Sequence, residues 1–169
     1  MRPTTQKVIL ALFHILGSVR GKKVLELFAG SGRISRKALD NGADLVCLVE
    51  KCGHEASRLK KDFRNKANAK VLHMDARRAL AFLKKKEFRF DIIFADPPYE
   101  KGWTTWLTGR GSFVLAELME EEGIFILEHS LRESPSTENM RKLEFLETRR
   151  YGETCLSFFR KTERKGEEK

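Results

Sequence analysis

The spacing of apolar residues changes along the chain, and each change marks an element. Between residues 8 and 16, Val8, Ile9, Leu12, Phe13, Ile15 and Leu16 recur at helical intervals but cover more than one face, which predicts a largely buried helix. Thr4 or Thr5 can cap it, and Gly17 stops it. From residue 23 the pattern alternates between short apolar runs and amphipathic stretches. Residues 24–28 read as a buried strand, Ala29-Gly30-Ser31-Gly32 as a tight turn, and residues 33–41 as a helix ended by Gly42. Residues 45–49 form a second strand, followed by a helix whose inner stripe is Ala56, Leu59 and Phe63. A third strand at 70–73 precedes a helix carrying Ala76, Ala79, Leu80 and Leu83. The fourth strand, 91–95, is broken by Pro97-Pro98. Val114, Leu115, Leu118 and Met119 mark a further helix, and Gly123 precedes a fifth strand at 124–127.

The final elements lack an intervening helix. Residues 143–150 and 153–161, split by Tyr151-Gly152, predict two strands joined by a tight turn. Alternating units that close in a hairpin predict an α/β fold: a doubly wound, mostly parallel, seven-stranded sheet with an antiparallel C-terminal hairpin. One domain over residues 1–161, with a charged tail at 162–169, is the expectation.

Composition narrows the partners. At 169 residues and 41% hydrophobic, the chain can bury a core, which excludes a disordered protein. The formal net charge of +9 suits a polyanionic partner without distinguishing RNA from DNA. No apolar run reaches the length of a membrane span, and the stretch at 8–16 has no small-residue cleavage site. The three cysteines, Cys47, Cys52 and Cys155, form no CxxC pair, as suits a reducing, cytoplasmic setting. Cys47, Cys52 and His54 lack a fourth ligand at a recognisable spacing, so no metal is expected. A monomer without a membrane partner is the remaining expectation.

In a doubly wound sheet, ligands bind beyond the carboxyl ends of the strands. After the first strand, Gly30 and Gly32 let the backbone turn and approach a ligand closely. The sequence there is not GxGxxG, and no Lys-Ser/Thr follows, so a ligand without a bound phosphate is favoured over a dinucleotide or nucleoside triphosphate. Alone, that turn is equally compatible with plain structural glycines. Glu50 ends the second strand, about 20 residues on, where a carboxylate can accept from two ribose hydroxyls or pair with Lys51 at the surface. Asp75 follows the third strand, beside Ala76, as an acceptor for an adenine amino group, an N-cap, or both. His73 and His129 end strands and read as structural.

Asp96-Pro97-Pro98-Tyr99, at the end of the fourth strand, is the most specific feature. An exocyclic amine on a base is a poor nucleophile because its lone pair is delocalised into the ring. A carboxylate and a rigidly held carbonyl, accepting its two N–H bonds, draw the nitrogen toward tetrahedral geometry and free that pair. Asp96 and the carbonyl of Pro97 suit those parts, since proline restricts both its own φ and the residue before it. Tyr99 offers a face for a flipped base, worth about 1–3 kcal/mol. Transfer from an already activated sulfonium needs mainly proximity and alignment, which makes S-adenosylmethionine (SAM) the matching cofactor. Trp103, Trp106 and Arg110 follow closely and are candidates for stacking unpaired bases or for core packing. The basic residues from Arg58 to Lys66 read as including the solvated face of a helix, with further clusters at Arg77-Arg78 and Lys84-Lys85-Lys86.

Taken together, Arg2-Pro3-Thr4-Thr5 leading to Leu12-Phe13-His14-Ile15-Leu16, residues 24–32, Asp96-Pro97-Pro98-Tyr99 and Arg150-Tyr151-Gly152-Glu153-Thr154 resemble the RsmD family of bacterial small-subunit rRNA guanine-N2 methyltransferases. The resemblance spans nearly the whole chain and implies a Rossmann-like class I methyltransferase acting on ribosomal RNA or a small-subunit particle. It assigns Glu26, Phe28, Gly30, Gly32, Glu50, Asp75 and Ala76 to SAM, residues 96–99 to the target guanine, the Arg2-Pro3-Thr4 segment to closure over cofactor and base, and Arg2 and Thr5 to substrate binding. Trp103 and Arg110 are the further substrate candidates. Three positions depart from the family: only Met1 precedes Arg-Pro-Thr, where a basic hairpin is usual; His14 replaces Asn; and Glu26 replaces Asp. Adenine N6 methylation, and a non-catalytic RNA-binding module on the same fold, are the alternatives.

Overall fold

The longest apolar runs occupy the centre of one sheet, where strands are covered on both faces. The computed structural model describes residues 4–137, 140 and 142–162; Arg2 and residues 163–169 of the expected tail lie outside them. In chain order the elements are α1 (Gln6–Leu16), β1 (Lys23–Leu27), α2 (Arg33–Asp40), β2 (Leu45–Glu50), α3 (Gly53–Phe63), β3 (Ala69–His73) and α4 (Ala76–Lys85). They continue with β4 (Phe90–Ala95), α5 (Trp103–Thr108), α6 (Gly111–Glu117), β5 (Met119–Ser130), β6 (Leu143–Tyr151) and β7 (Thr154–Lys161). The seven strands form one sheet in the order β3-β2-β1-β4-β5-β7-β6, parallel from β3 to β5, with β7 antiparallel to both its neighbours.

Alternation along each strand sends side chains to two separate cores. On one face Val24, Val46, Phe94, Ile126 and Phe158 pack beneath α1, α2 and α3, through Leu12, Ile34, Ala38 and Leu59. On the other, Leu25, Cys47, Ile93, Phe125 and Phe159 meet Leu80, Leu83, Leu107 and Leu115 of α4, α5 and α6. Thr5 caps α1 by accepting from the amide of Val8, and Gly17 closes it at φ 67°.

Four sequence expectations need correction. Helix α1 is less buried than its apolar positions predict: it buries Val8, Ile9, Leu12 and Phe13, while Ile15 and Leu16 are half-buried and Leu10 is 51% exposed. The helix expected to include Leu118 and Met119 ends at Glu117. Met119 opens β5 opposite Phe90, the next paired residues are Ile124 and Ile92, and residues 120–123 bulge out between them. The strand is therefore much longer than 124–127. Helix α5 has no apolar period and contains three β-branched threonines among its six residues, so its sequence carries no helical signal. The hairpin turn is Gly152-Glu153, and Tyr151 pairs with Thr154 as the last residue of β6.

Leu12 is fully buried and Leu10 on the same helix is not. Leu12→Ala is expected to cost about 2–5 kcal/mol, and Leu10→Ala less than about 0.5 kcal/mol. Denaturant titration of both variants checks this; equal losses would contradict the docking of α1.

Candidate active site

Register places the candidate residues. In the parallel sheet Leu27 lies opposite both Val49 and Ala95, and Ala95 opposite Leu127. The residues immediately following are Phe28, Glu50, Asp96 and Glu128, which therefore form one row across the carboxyl ends of β1, β2, β4 and β5. Glu26, paired with Leu48 and Phe94, sits one pleat below on the same face.

Two cavities open along this row, with Phe28 shared by both. Phe28 has φ 57°, a conformation that costs a non-glycine residue about 1–3 kcal/mol and recurs at binding sites. The first cavity, about 440 Å³, is lined by Phe28, Glu50, Lys51, Cys52, Met74, Asp75, Ala76, Pro98 and Trp103. Both oxygens of Glu50 are anchored, Oε2 accepting from the Gly30 amide (2.8 Å) and Oε1 from the Cys52 amide (2.8 Å). Each oxygen keeps a further acceptor position, which fits a ribose diol. Asp75 accepts from the Arg77 amide (2.9 Å) as the N-cap of α4 and also lines the cavity, so capping leaves it in place to meet a ligand. The walls of Phe28, Met74, Pro98 and Trp103 fit the faces of an adenine ring.

The second cavity, about 310 Å³, is lined by Thr4, Glu26, Phe28, Gly30, Arg33, Glu55, Arg58 and Asp96 among others. Gly30 (φ 54°) borders it, and a Cβ there would meet nothing within 4 Å. Gly32 serves differently. At φ 72° its missing Cβ would come within 2.9 Å of Leu48 and Leu59, so this glycine lets α2 and α3 pack under the turn and does not line either cavity. The Glu26 carboxylate accepts from the amide and hydroxyl of Ser35 at the start of α2 (2.9 and 2.6 Å), and burial pushes its pKa up to about 7.

Asp96 and Glu128 share one hydroxyl. Thr4 Oγ1 lies 3.0 Å from Asp96 Oδ2 and 2.8 Å from Glu128 Oε2. Burial pushes both carboxyls up, Asp96 to about 6 and Glu128, which also feels Asp96, to about 8. Arg33 donates to the carbonyl of Thr4 (2.9 Å), pinning the N-terminal segment over the site. Tyr99 is half-buried, its hydroxyl 3.4 Å from Thr154 Oγ1, and burial pushes its pKa up to about 12, so it stays a neutral phenol.

Other expectations redistribute. Thr5 is exposed and its hydroxyl is used as the α1 cap, whereas Thr4 reaches the carboxylates. Trp103 walls the Glu50 cavity: its ring meets Phe28 edge-on at 4.8 Å, with the Arg77 guanidinium 4.5 Å above it. Arg110 is exposed and lines neither cavity. His73 bonds the Lys51 carbonyl, and His129 is buried between Ser130 O and Ser157 Oγ. Thr4 belongs to the Arg-Pro-Thr segment expected to close the site, whereas Arg33, Arg58 and Glu128 were not singled out as site residues from the sequence. A carboxylate closing the apolar run 124–127 is the same signal that marked Glu50, and could have found Glu128. Among the described residues, no cluster of three or more His, Cys, Asp or Glu could hold a metal, and no helix is long and apolar enough to cross a membrane.

Strand order, the antiparallel β7 and a ligand pocket over the β1–β2–β4 ends define a Rossmann-like class I methyltransferase fold. The family model "Conserved hypothetical protein 95" matches residues 1–160. YlbH of Bacillus subtilis, provisionally named an rRNA methyltransferase, is 32% identical over 95% of this chain and 88% of its own. Ribosomal RNA small subunit methyltransferase D of Buchnera aphidicola is 29% identical over 75% of this chain and 71% of its own. The solved structure of SMU.776, provisionally named a methyltransferase and complexed with SAH, superposes with a TM-score of 0.72 at 17% identity, over 95% of this chain and 50% of its own. The chain belongs to the family that this model describes, the RsmD-like methyltransferases.

Three buried carboxyls with raised pKa values set a pH dependence. From about pH 5 to about pH 8 the folded protein holds protons that the unfolded chain has released, so this stabilisation is complete in acid and lost as pH rises. Glu117, whose pKa is lowered by Lys84, titrates below that window. The ligand-free protein should therefore melt at a lower temperature at about pH 8 than at about pH 5.5, and Glu26→Gln should reduce the difference. Thermal melts at both values check it; a melting temperature that rises across the window would contradict it.

Proposed function

We propose that this protein transfers a methyl group from SAM to the exocyclic N2 of a guanine in small-subunit ribosomal RNA. The observation that carries the reading is the position of Asp96: it stands in one row with Glu50, on the far side of Phe28, so that the two carboxylates line adjoining cavities that share Phe28. The names of both relatives support ribosomal RNA as acceptor, that of the Buchnera protein the small subunit, and the net charge of +9 suits it.

In this reading Glu50, held by two amides, accepts the ribose hydroxyls, and Asp75 with Ala76 borders the adenine. Glu26, Gly30 and the adjoining turn border the methionine end. Bound there, SAM supplies a sulfonium-activated methyl group. Asp96 and the Pro97 carbonyl accept the two N–H bonds of the target amine and expose its lone pair, while Tyr99 stacks on the base. Thr4, pinned by Arg33, closes the site.

Two variants separate cofactor from chemistry. Glu50→Gln should weaken SAM binding by about 10- to 100-fold, as loss of charged hydrogen bonds does. Asp96→Ala should keep calorimetric SAM binding and lose at least about 100-fold in methyl transfer to small-subunit RNA. Mass spectrometry of nucleosides from cells with and without the gene identifies the product. Loss of N2-methylguanine is expected, and loss of N6-methyladenine with N2-methylguanine unchanged would overturn the choice of base. Absence of label transfer to any naked or assembled substrate would favour the non-catalytic RNA-binding module.

A further inference from the structure

The contact of Thr4 with two carboxylates cannot be two donations, because a hydroxyl carries one hydrogen. Its oxygen lies within hydrogen-bond distance of both Asp96 Oδ2 and Glu128 Oε2. Two full hydrogen bonds at this oxygen require one carboxyl to carry a proton and donate to Thr4, which donates to the other. Among the described residues neither carboxylate has an ion-pair partner, and Oδ1 of Asp96 makes no hydrogen bond. We propose that Glu128 is a positioning residue for the transfer reaction, its proton donated to Thr4 so that Thr4 donates to Asp96 and leaves Asp96 an ionised acceptor with Oδ1 free for the target amine. This rests on the methyltransferase reading above.

The surroundings agree on which carboxyl holds the proton. Glu128 lies at the end of β5, opposite Leu156 of β7, an apolar neighbour. The N-terminal segment contributes Thr4, and the end of β4 contributes Asp96 and Tyr99. Glu133, beyond β5, adds negative charge near Tyr99, and Glu26 of β1 lies on the far side of Asp96. Arg33 of α2 spends its contact on the Thr4 carbonyl. α1, packed on this face, presents Val8, Ile9, Leu12 and Phe13 to the core. Asp96 is thus the negative charge that faces Glu128, and among the described residues no cation pairs with it; Glu128 is closed off at 3% exposure while Asp96 lines the open cavity, so burial holds the proton more firmly on Glu128. The proton on Glu128 is what lets two buried acids stand beside one hydroxyl with a single negative charge between them.

The test is the pH profile of single-turnover methyl transfer by the full chain to small-subunit RNA, in wild type and Glu128→Gln. The glutamine amide donates to Thr4 as the protonated carboxyl does and cannot ionise. Wild type should rise as Asp96 ionises and fall by about tenfold per pH unit once Glu128 loses its proton; Glu128→Gln should lack the fall. An identical falling limb in Glu128→Gln would overturn the proposal. So would loss of transfer at all pH values in a folded variant, which would make Glu128 an ionised acceptor for the base. A second readout needs no turnover: carboxyl ¹³C NMR of Thr4→Val. Removing the hydroxyl should move the Asp96 titration upward, and an unmoved titration would overturn the bridge. If wild type transfers no methyl group to RNA, the functional reading fails, while the NMR result still decides the bridge.

Discussion

Parallel register is the constraint on which the site depends. β1, β2, β4 and β5 are aligned so that Leu27, Val49, Ala95 and Leu127 stand level. Whatever follows each of them is delivered to one row at the sheet's edge. A slip of one residue in β4 would turn Asp96 to the opposite face, because side-chain direction alternates along a strand. The apolar runs that make the two cores thereby also fix the spacing of Phe28, Glu50, Asp96 and Glu128. Packing and function are one requirement at these strand ends.

The row is electrostatically costly, and its costs are arranged differently at each member. Glu50 accepts from two amides, one of them from the glycine turn itself. Glu26 leans on Ser35 at a helix start, where amides favour a negative charge. Asp96 and Glu128 have only Thr4 between them. A protein selected for stability alone would avoid placing three such acids under one face. Their concentration at the cleft, beside the strained Phe28, is the kind of local conflict that marks a working site.

Much of this was legible in the chain itself. Strands 24–28, 45–49 and 91–95, the stripes Ala56-Leu59-Phe63 and Ala76-Ala79-Leu80-Leu83, and the strand-end positions of Glu50, Asp75 and Asp96 follow from period and punctuation. Helix α5 was invisible because its threonines and tryptophans owe their helix to burial of Thr104, Leu107 and Thr108. The bulge at residues 120–123 hid β5 because an apolar pair, Leu118 and Met119, continues the helical period into a strand. Thr4 and Glu128 are 124 residues apart, and no local pattern couples them. Base stacking and core packing were equally open for Trp103 because only the fold shows its ring turned to Phe28 and Arg77 at the wall of the Glu50 cavity.

The most direct measurement is a crystal structure of the protein grown with S-adenosylhomocysteine. The account predicts ribose hydroxyls within hydrogen-bond distance of both Glu50 oxygens, adenine between Met74 and Phe28, and the sulfur on the Asp96 side of Phe28. A nucleoside bound away from Glu50, or a sulfur separated from Asp96 by the Phe28 ring, would contradict it.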